Sequence, residues 1–189
     1  MSSSLPPAIA IRLARSDDMP HLVRLQLDSI QTLCAKDYTP EQLEALIDSK
    51  ANIRVWQEQI FVAEIAGQIV GFGALALCQP SINALFVDPN FARQGIGQQL
   101  LATLEKAALE RNIRCLWVSA SLTGVPFYQA QKYETVCRDS VWLSLRPVPV
   151  MTMKKVLIPP TQSEIIWTWI WYSLLILFVI CAIVLPLIS

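Results

Sequence analysis

The chain has 189 residues, which leaves room for one ordinary domain of about 100 to 150 residues and a short appendage, and excludes two full domains. Fifteen basic residues balance fifteen acidic ones, so the broad positive field of a nucleic-acid binder is absent and nucleic acid is not an expected partner. The single histidine, His21, and the scattered Cys34, Cys78, Cys115, Cys137 and Cys181 offer too few grouped ligands for a metal; the thiols read as reduced, small hydrophobes.

In chain order, residues 1–8 lack the basic start and apolar core of a signal peptide and read as a disordered lead-in. Ile9 to Leu13 alternates as a short strand, and Ser16 with Asp17 and Asp18 starts a helix running to about Leu33. Thr39, Pro40 and Glu41 start a second helix, with proline at the first helical position. Ile60 to Ile65 and Ile69 to Leu77 form two strands around a glycine-bearing turn at Ala66 to Gln68. A strand from Ile82 to Val87 ends at Asp88-Pro89. The helix after it, from about Gly97 to Arg111, carries Leu100, Leu101, Leu104, Ala107 and Ala108 on one stripe. Cys115 to Ala120 is a strand, Pro126 to Gln131 a short helix, and Thr135 to Cys137 and Pro149 to Val156 are further strands.

The run from Ile165 to Ile188 carries no charge, and as a helix it would reach about 36 Å, enough for a hydrocarbon core of about 30 Å. Trp167, Trp169, Trp171 and Tyr172 gather at its start, where interfacial aromatics belong. Residues 165–188 are therefore expected to be a single transmembrane helix behind a linker at 159–164, with the membrane as partner. Arg138, Arg146, Lys154 and Lys155 precede the run, so the preceding domain is expected on the cytoplasmic side.

The stretch that carries chemistry is Phe86-Val87-Asp88-Pro89-Asn90-Phe91-Ala92-Arg93-Gln94-Gly95-Ile96-Gly97-Gln98. A strand feeds a glycine-bearing loop that opens into a helix. Such a loop aims backbone N–H groups at an anion, and the helix dipole adds positive potential. It lacks the lysine and Ser/Thr of a P-loop, and Gly95-Ile96-Gly97 does not follow the GxGxxG dinucleotide pattern.

This stretch resembles the acetyl-CoA-binding motif of the GNAT acetyltransferases, R/Q-x-x-G-x-G/A, with Gly95 and Gly97 on the glycine positions and Ala92 where the family usually has Arg or Gln. A second segment, Val125-Pro126-Phe127-Tyr128-Gln129-Ala130-Gln131-Lys132-Tyr133, resembles the family's Phe-Tyr helix and following Gly-aromatic step, with Lys132 in place of the glycine. The resemblance covers about residues 9–158. It implies an α/β (α+β) GNAT-like fold, a mixed, mostly antiparallel central sheet with splayed middle strands flanked by helices.

It further implies an acyltransferase moving groups other than aminoacyl groups, in which a primary amine attacks the acetyl-CoA thioester directly. Acetyl-CoA is the implied cosubstrate, gripped by Ala92, Arg93, Gln94, Gly95, Ile96, Gly97 and Gln98. Thr123 takes the place of an asparagine that contacts the pantetheine arm. A backbone N–H near Phe86 or Val87 would hold the oxyanion, and Tyr128 is the implied catalytic acid toward the thiolate. No base stands out among Asp88, Glu64 and His21. The acceptor is expected to meet the region from Ile30 to Asp48, with Cys34, Lys36, Asp37, Tyr38 and Glu41 as candidate lining. Its identity is left open, as is a homodimer. The alternative from another class is a non-catalytic CoA-binding sensor or membrane recruitment module.

Overall fold

In the computed structural model, which describes residues 8–48, 58–164, 166–167, 169–174 and 176, the first unit ends at Leu157 and a second runs from Ile158. The first unit is built on one seven-stranded sheet in the order β1-β2-β3-β4-β5-β7-β6. The strands are β1 (Ala10–Leu13), β2 (Glu58–Ile65), β3 (Gln68–Ala76), β4 (Ser81–Val87), β5 (Cys115–Ser121), β6 (Glu134–Leu143) and β7 (Arg146–Val156). The helices are α1 (Met19–Leu33), α2 (Pro40–Asp48), α3 (Ile96–Glu110) and α4 (Val125–Ala130). All strand neighbours are antiparallel except β4 and β5. This is the GNAT-like α/β arrangement that the sequence implied.

Local chemistry explains most boundaries. β2 and β3 are joined by Ala66 and Gly67, both at positive φ (51° and 82°), the primed-turn geometry that matches strand twist. Thr39 and Gln42 close a reciprocal cap on α2, with Gln42 N–H donating to Thr39 Oγ1 (3.3 Å) and Thr39 N–H to Gln42 Oε1 (3.1 Å). The expected single helix from Ser16 begins instead as a 3₁₀ turn, Ser16–Asp18, before α1.

The last two strands are much longer than the sequence suggested. Their turn, Ser144 and Leu145, takes positive φ at both residues (47° and 63°) without glycine or asparagine, so no turn signal marks it. Pro147 and Pro149 are residues that a central strand ordinarily excludes. They fit because a two-residue hairpin makes Leu143 and Arg146 a hydrogen-bonded pair, which turns the ring nitrogens of Pro147 and Pro149 away from β6. On that other side β5 has already ended, its last pair being Ser121 with Val150. No ladder bond is lost.

α3 packs on one face of the sheet through Leu100, Leu101, Leu104, Ala107 and Ala108, all buried. Two glycines of β3 let it come close. A Cβ on Gly71 would lie 3.0 Å from Phe86 O and 3.1 Å from Ile96 Cγ2, and one on Gly73 would lie 2.9 Å from Leu104 Cδ1. Arg111 fixes the far end, donating to Ala76 O (3.1 Å) and Leu77 O (2.6 Å). The opposite face is covered by α1, whose Leu22 and Leu25 pack with Phe72, Ala84 and Phe86.

The second unit corrects the expected single-pass membrane placement. Among the described residues no helix is long and apolar enough to cross a membrane. The described helical positions begin at Gln162, Ser163 and Glu164, ahead of the apolar run. From 166 to 176 the described positions amount to roughly 14 Å of helix, less than half of a hydrocarbon core of about 30 Å. Residues 165, 168, 175 and 177–188 of the expected span lie outside the described residues. With the span goes the assignment of the domain to a cytoplasmic membrane face.

Candidate active site

β4 and β5 pair only at their starts, Ser81 with Trp117 and Ile82 with Val118. Beyond Ile82 the two strands part, so the sheet opens in a V between the Val87 and Ser121 ends. The phase of the β3–β4 ladder decides which backbone groups enter it. Asp88 N–H donates to Val70 O (2.9 Å), so Phe86 and Ala84 spend their amides on β3, whereas Leu85 and Val87 turn theirs toward the opening. Of the two residues the sequence offered as oxyanion donors, only Val87 has a backbone N–H facing the V. The Phe86 side chain lies on the α1 face, its ring 5.5 Å from that of Phe72.

At the mouth of the V, Asp88 caps a 3₁₀ turn, Pro89–Phe91, by accepting from Asn90 N–H (2.8 Å). Ala92 is extended (φ −61°, ψ 153°), Arg93 is left-handed (φ 64°), and Gly95 is left-handed again (φ 83°) as the cap residue of α3. With Gln94 between two left-handed residues, the loop has the alternating handedness that turns successive N–H groups into one concavity. No side chain caps α3. Gln99 N–H bonds Gly95 O (3.1 Å), while the N–H groups of Ile96, Gly97 and Gln98 precede the first helical carbonyls and have no backbone acceptor among the described residues. Space above Gly95 is free, since a Cβ there would meet nothing within 4 Å.

The Phe-Tyr segment comes to the same place. A Cβ on Gly97 would lie 3.4 Å from Phe127 Cε2 and 3.7 Å from Val87 Cγ2, so β4, the first turn of α3 and α4 meet at one point. Phe127 belongs to the Phe-Tyr motif, and the signal in the sequence that singles it out is the glycine it faces, Gly97. Tyr128 follows, 6% exposed, its ring packed edgewise between Phe127 (5.2 Å) and Tyr133 (5.3 Å). Among the described residues its hydroxyl has no hydrogen-bond partner. Burial pushes its pKa well above the ordinary tyrosine value, so the group stays protonated at neutral pH. Lys132, where the family has glycine, takes φ 65°, the conformation that glycine serves.

Thr123 is engaged within the protein. Its hydroxyl donates to Asp37 Oδ2 (2.5 Å), tying the 3₁₀ turn Leu122–Gly124 to the α1–α2 loop. Tyr38 strengthens the tie, donating to Pro149 O (2.9 Å) and accepting from Leu122 N–H (2.9 Å). It thus takes up the carbonyl that β7 presents where β5 has ended. Cys34 is buried beneath, and burial raises its thiol pKa. Lys36 and Glu41 are exposed. The other candidate bases are engaged: Glu64 pairs with Arg12, Asp88 with Asn90, and His21 Nε2 lies 3.1 Å from Ile69 O.

Comparison with known proteins shows the family and the fold. The model of the acetyltransferase (GNAT) domain matches residues 34–155. The uncharacterized N-acetyltransferase YafP of Escherichia coli strain K12 is 30% identical over 136 residues, which are 70% of this chain and 86% of that protein. A GCN5-related N-acetyltransferase of Rhodopseudomonas palustris superposes with a TM-score of 0.76 at 27% identity, covering 82% of this chain and all of that one. The PaiA N-acetyltransferase of Thermoplasma acidophilum, solved in complex with coenzyme A, shares the fold at a TM-score of 0.62 and 18% identity over 79% of this chain and 99% of that one. A splayed β4–β5 pair, a left-handed glycine loop opening α3, and a buried tyrosine beside it accompany the family match: the chain belongs to the GNAT family of acetyltransferases, whose cosubstrate is acetyl-CoA.

Proposed function

We propose that the chain is an acetyl-CoA-dependent N-acetyltransferase that acetylates a primary amine by direct attack within the V between β4 and β5. The observation that carries this reading is the meeting of Gly97, Phe127 and Val87, which puts the anion-binding loop, the parted strand and Tyr128 around one opening. The N–H groups of Ile96, Gly97 and Gln98, with those of the loop from Ala92 to Gly95, hold the pyrophosphate, and the α3 dipole favours its charge. The pantetheine arm, which carries amides, lies along β4 and bonds the outward groups of Leu85 and Val87, as an added strand does.

The amine nitrogen attacks the thioester carbon, and the new N–C bond pushes electrons onto oxygen, where the Val87 N–H stabilises the oxyanion. A prepositioned donor of this kind contributes about 3 to 4 kcal/mol. Collapse breaks the C–S bond, and the sulfur takes its proton from Tyr128. The proton lost by the amine passes to water, from which Tyr128 recovers its own. Water serves as the base, since Glu64, Asp88 and His21 are engaged elsewhere.

The test pairs binding with turnover. The protein is expected to bind acetyl-CoA in calorimetry and to release free thiol with an amine panel. Gly95→Glu, which forces a side chain into φ 83° and adds a negative charge, should weaken binding at least tenfold. Wild-type affinity in folded Gly95→Glu would remove the loop assignment. Binding without thiol release from any amine would make the protein a sensor instead.

A further inference from the structure

α1 crosses the opening of the V, and where it does so one of its buried polar atoms lacks a partner among the described residues. Its first half rests on β3 and β4, with Leu22 and Leu25 among Phe72, Ala84 and Phe86. Its end rests beyond β5, with Cys34 among Tyr38, Leu122 and Val148. The turns between, which carry Gln26 and Ser29, therefore bridge the gap where the two strands part. Gln26 falls on the inward stripe with Leu22, Leu25, Ser29 and Ile30, at the spacing of one helix face. Ser29 is a buried polar side chain, 5% exposed. The Gln26 amide oxygen is buried and has no hydrogen-bond partner among the described residues.

A buried amide oxygen without a donor is costly to the fold, and a functional site is where such a cost is retained. Resting on the acetyltransferase reading above, we infer that Gln26 is the acceptor-binding residue: its Oε1 accepts an N–H from the incoming amine and turns the nitrogen lone pair toward the thioester, with the Ser29 hydroxyl beside it. The chemistry of the group suits the task. The nucleophile must be neutral, and a carboxylate in this place would favour the ammonium form, whereas a carboxamide orients the amine without charging it. The ligand class is an amine that presents at least one N–H donor besides the lone pair it uses in attack.

The experiment uses the full chain, acetyl-CoA and three probes: n-butylamine, alaninamide and a tetrapeptide with a free N-terminal alanine. Gln26→Leu should raise the KM of the best probe at least tenfold while leaving the acetyl-CoA KM within about twofold. Its melting temperature should equal or exceed that of the wild type, because an apolar side chain of similar size removes a buried unpaired oxygen. Gln26→Met, which keeps the length of the side chain and a good helix propensity, serves as the second variant and should behave alike. An unchanged amine KM in either folded variant overturns the inference while leaving the acetyltransferase reading intact. A fall in both substrates' affinities together with a lower melting temperature also overturns it, since that is the mark of a packing residue. Absence of thiol release by the wild type with every probe would overturn both.

Discussion

Tyr128 shows at the level of one residue how packing sets chemistry. Its ring is held by two aromatic neighbours and its hydroxyl has no hydrogen-bond partner among the described residues, so Tyr128→Phe removes an O–H group and almost nothing else. We expect kcat to fall about 10²-fold, the usual weight of a general acid, with acetyl-CoA affinity and melting temperature unchanged. Stopped-flow thiol release and calorimetry on the same preparation check this; an unaltered kcat with chemistry rate-limiting would return Tyr128 to the core. The place of Tyr128 on a short helix was legible in the sequence from the Phe-Tyr pair. The engagement of Thr123 was not, because its partner, Asp37, lies 86 positions away and only the fold brings the two together.

Among the elements, α3 owes its position to what β3 lacks. A methyl group at Gly71 would strike the Phe86 carbonyl, which is backbone and cannot rotate aside, as well as Ile96 and Leu100 on the helix. Gly71→Ala should therefore cost about 1 to 3 kcal/mol of stability and weaken acetyl-CoA binding, since the loop rides on the helix it displaces. Urea denaturation and calorimetry measure the two effects, and a neutral substitution would show that the close approach is not required. The stripe of α3 and the hairpin at Gly67 were plain in the sequence, because both follow local rules of period and turn. The lengths of β6 and β7 were hidden for the same reason: Ser144, Leu145, Pro147 and Pro149 break local rules that only neighbouring strands make affordable.

Over the whole molecule, ion pairs tie the sheet's edge to its first helical turn. Arg12 on β1 bonds Asp18 (2.7 Å) and Glu64 (2.5 Å), and Asp18 also accepts from Arg15 N–H (2.7 Å). The hydrogen bond from Arg12 lowers the Asp18 pKa below its ordinary value. A lowered folded pKa gives stability that is complete above the unfolded carboxylate value, about 3.9, and is lost as pH falls through the folded one. Arg12→Leu should accordingly cost about 1 kcal/mol near neutrality, and its melting curve should converge on that of the wild type only below about pH 4. A gap that stays constant to pH 2 would contradict the linkage. The apolar run from Ile165 suggested a membrane span by its hydropathy, whereas among the described residues no helix is long and apolar enough to cross a membrane. The parting of β4 from β5 has a kinetic signature of its own. In the free protein the amide hydrogens of Leu85 and Val87 should exchange with deuterated solvent far faster than those of Ala84 and Phe86, and acetyl-CoA should slow the fast pair alone.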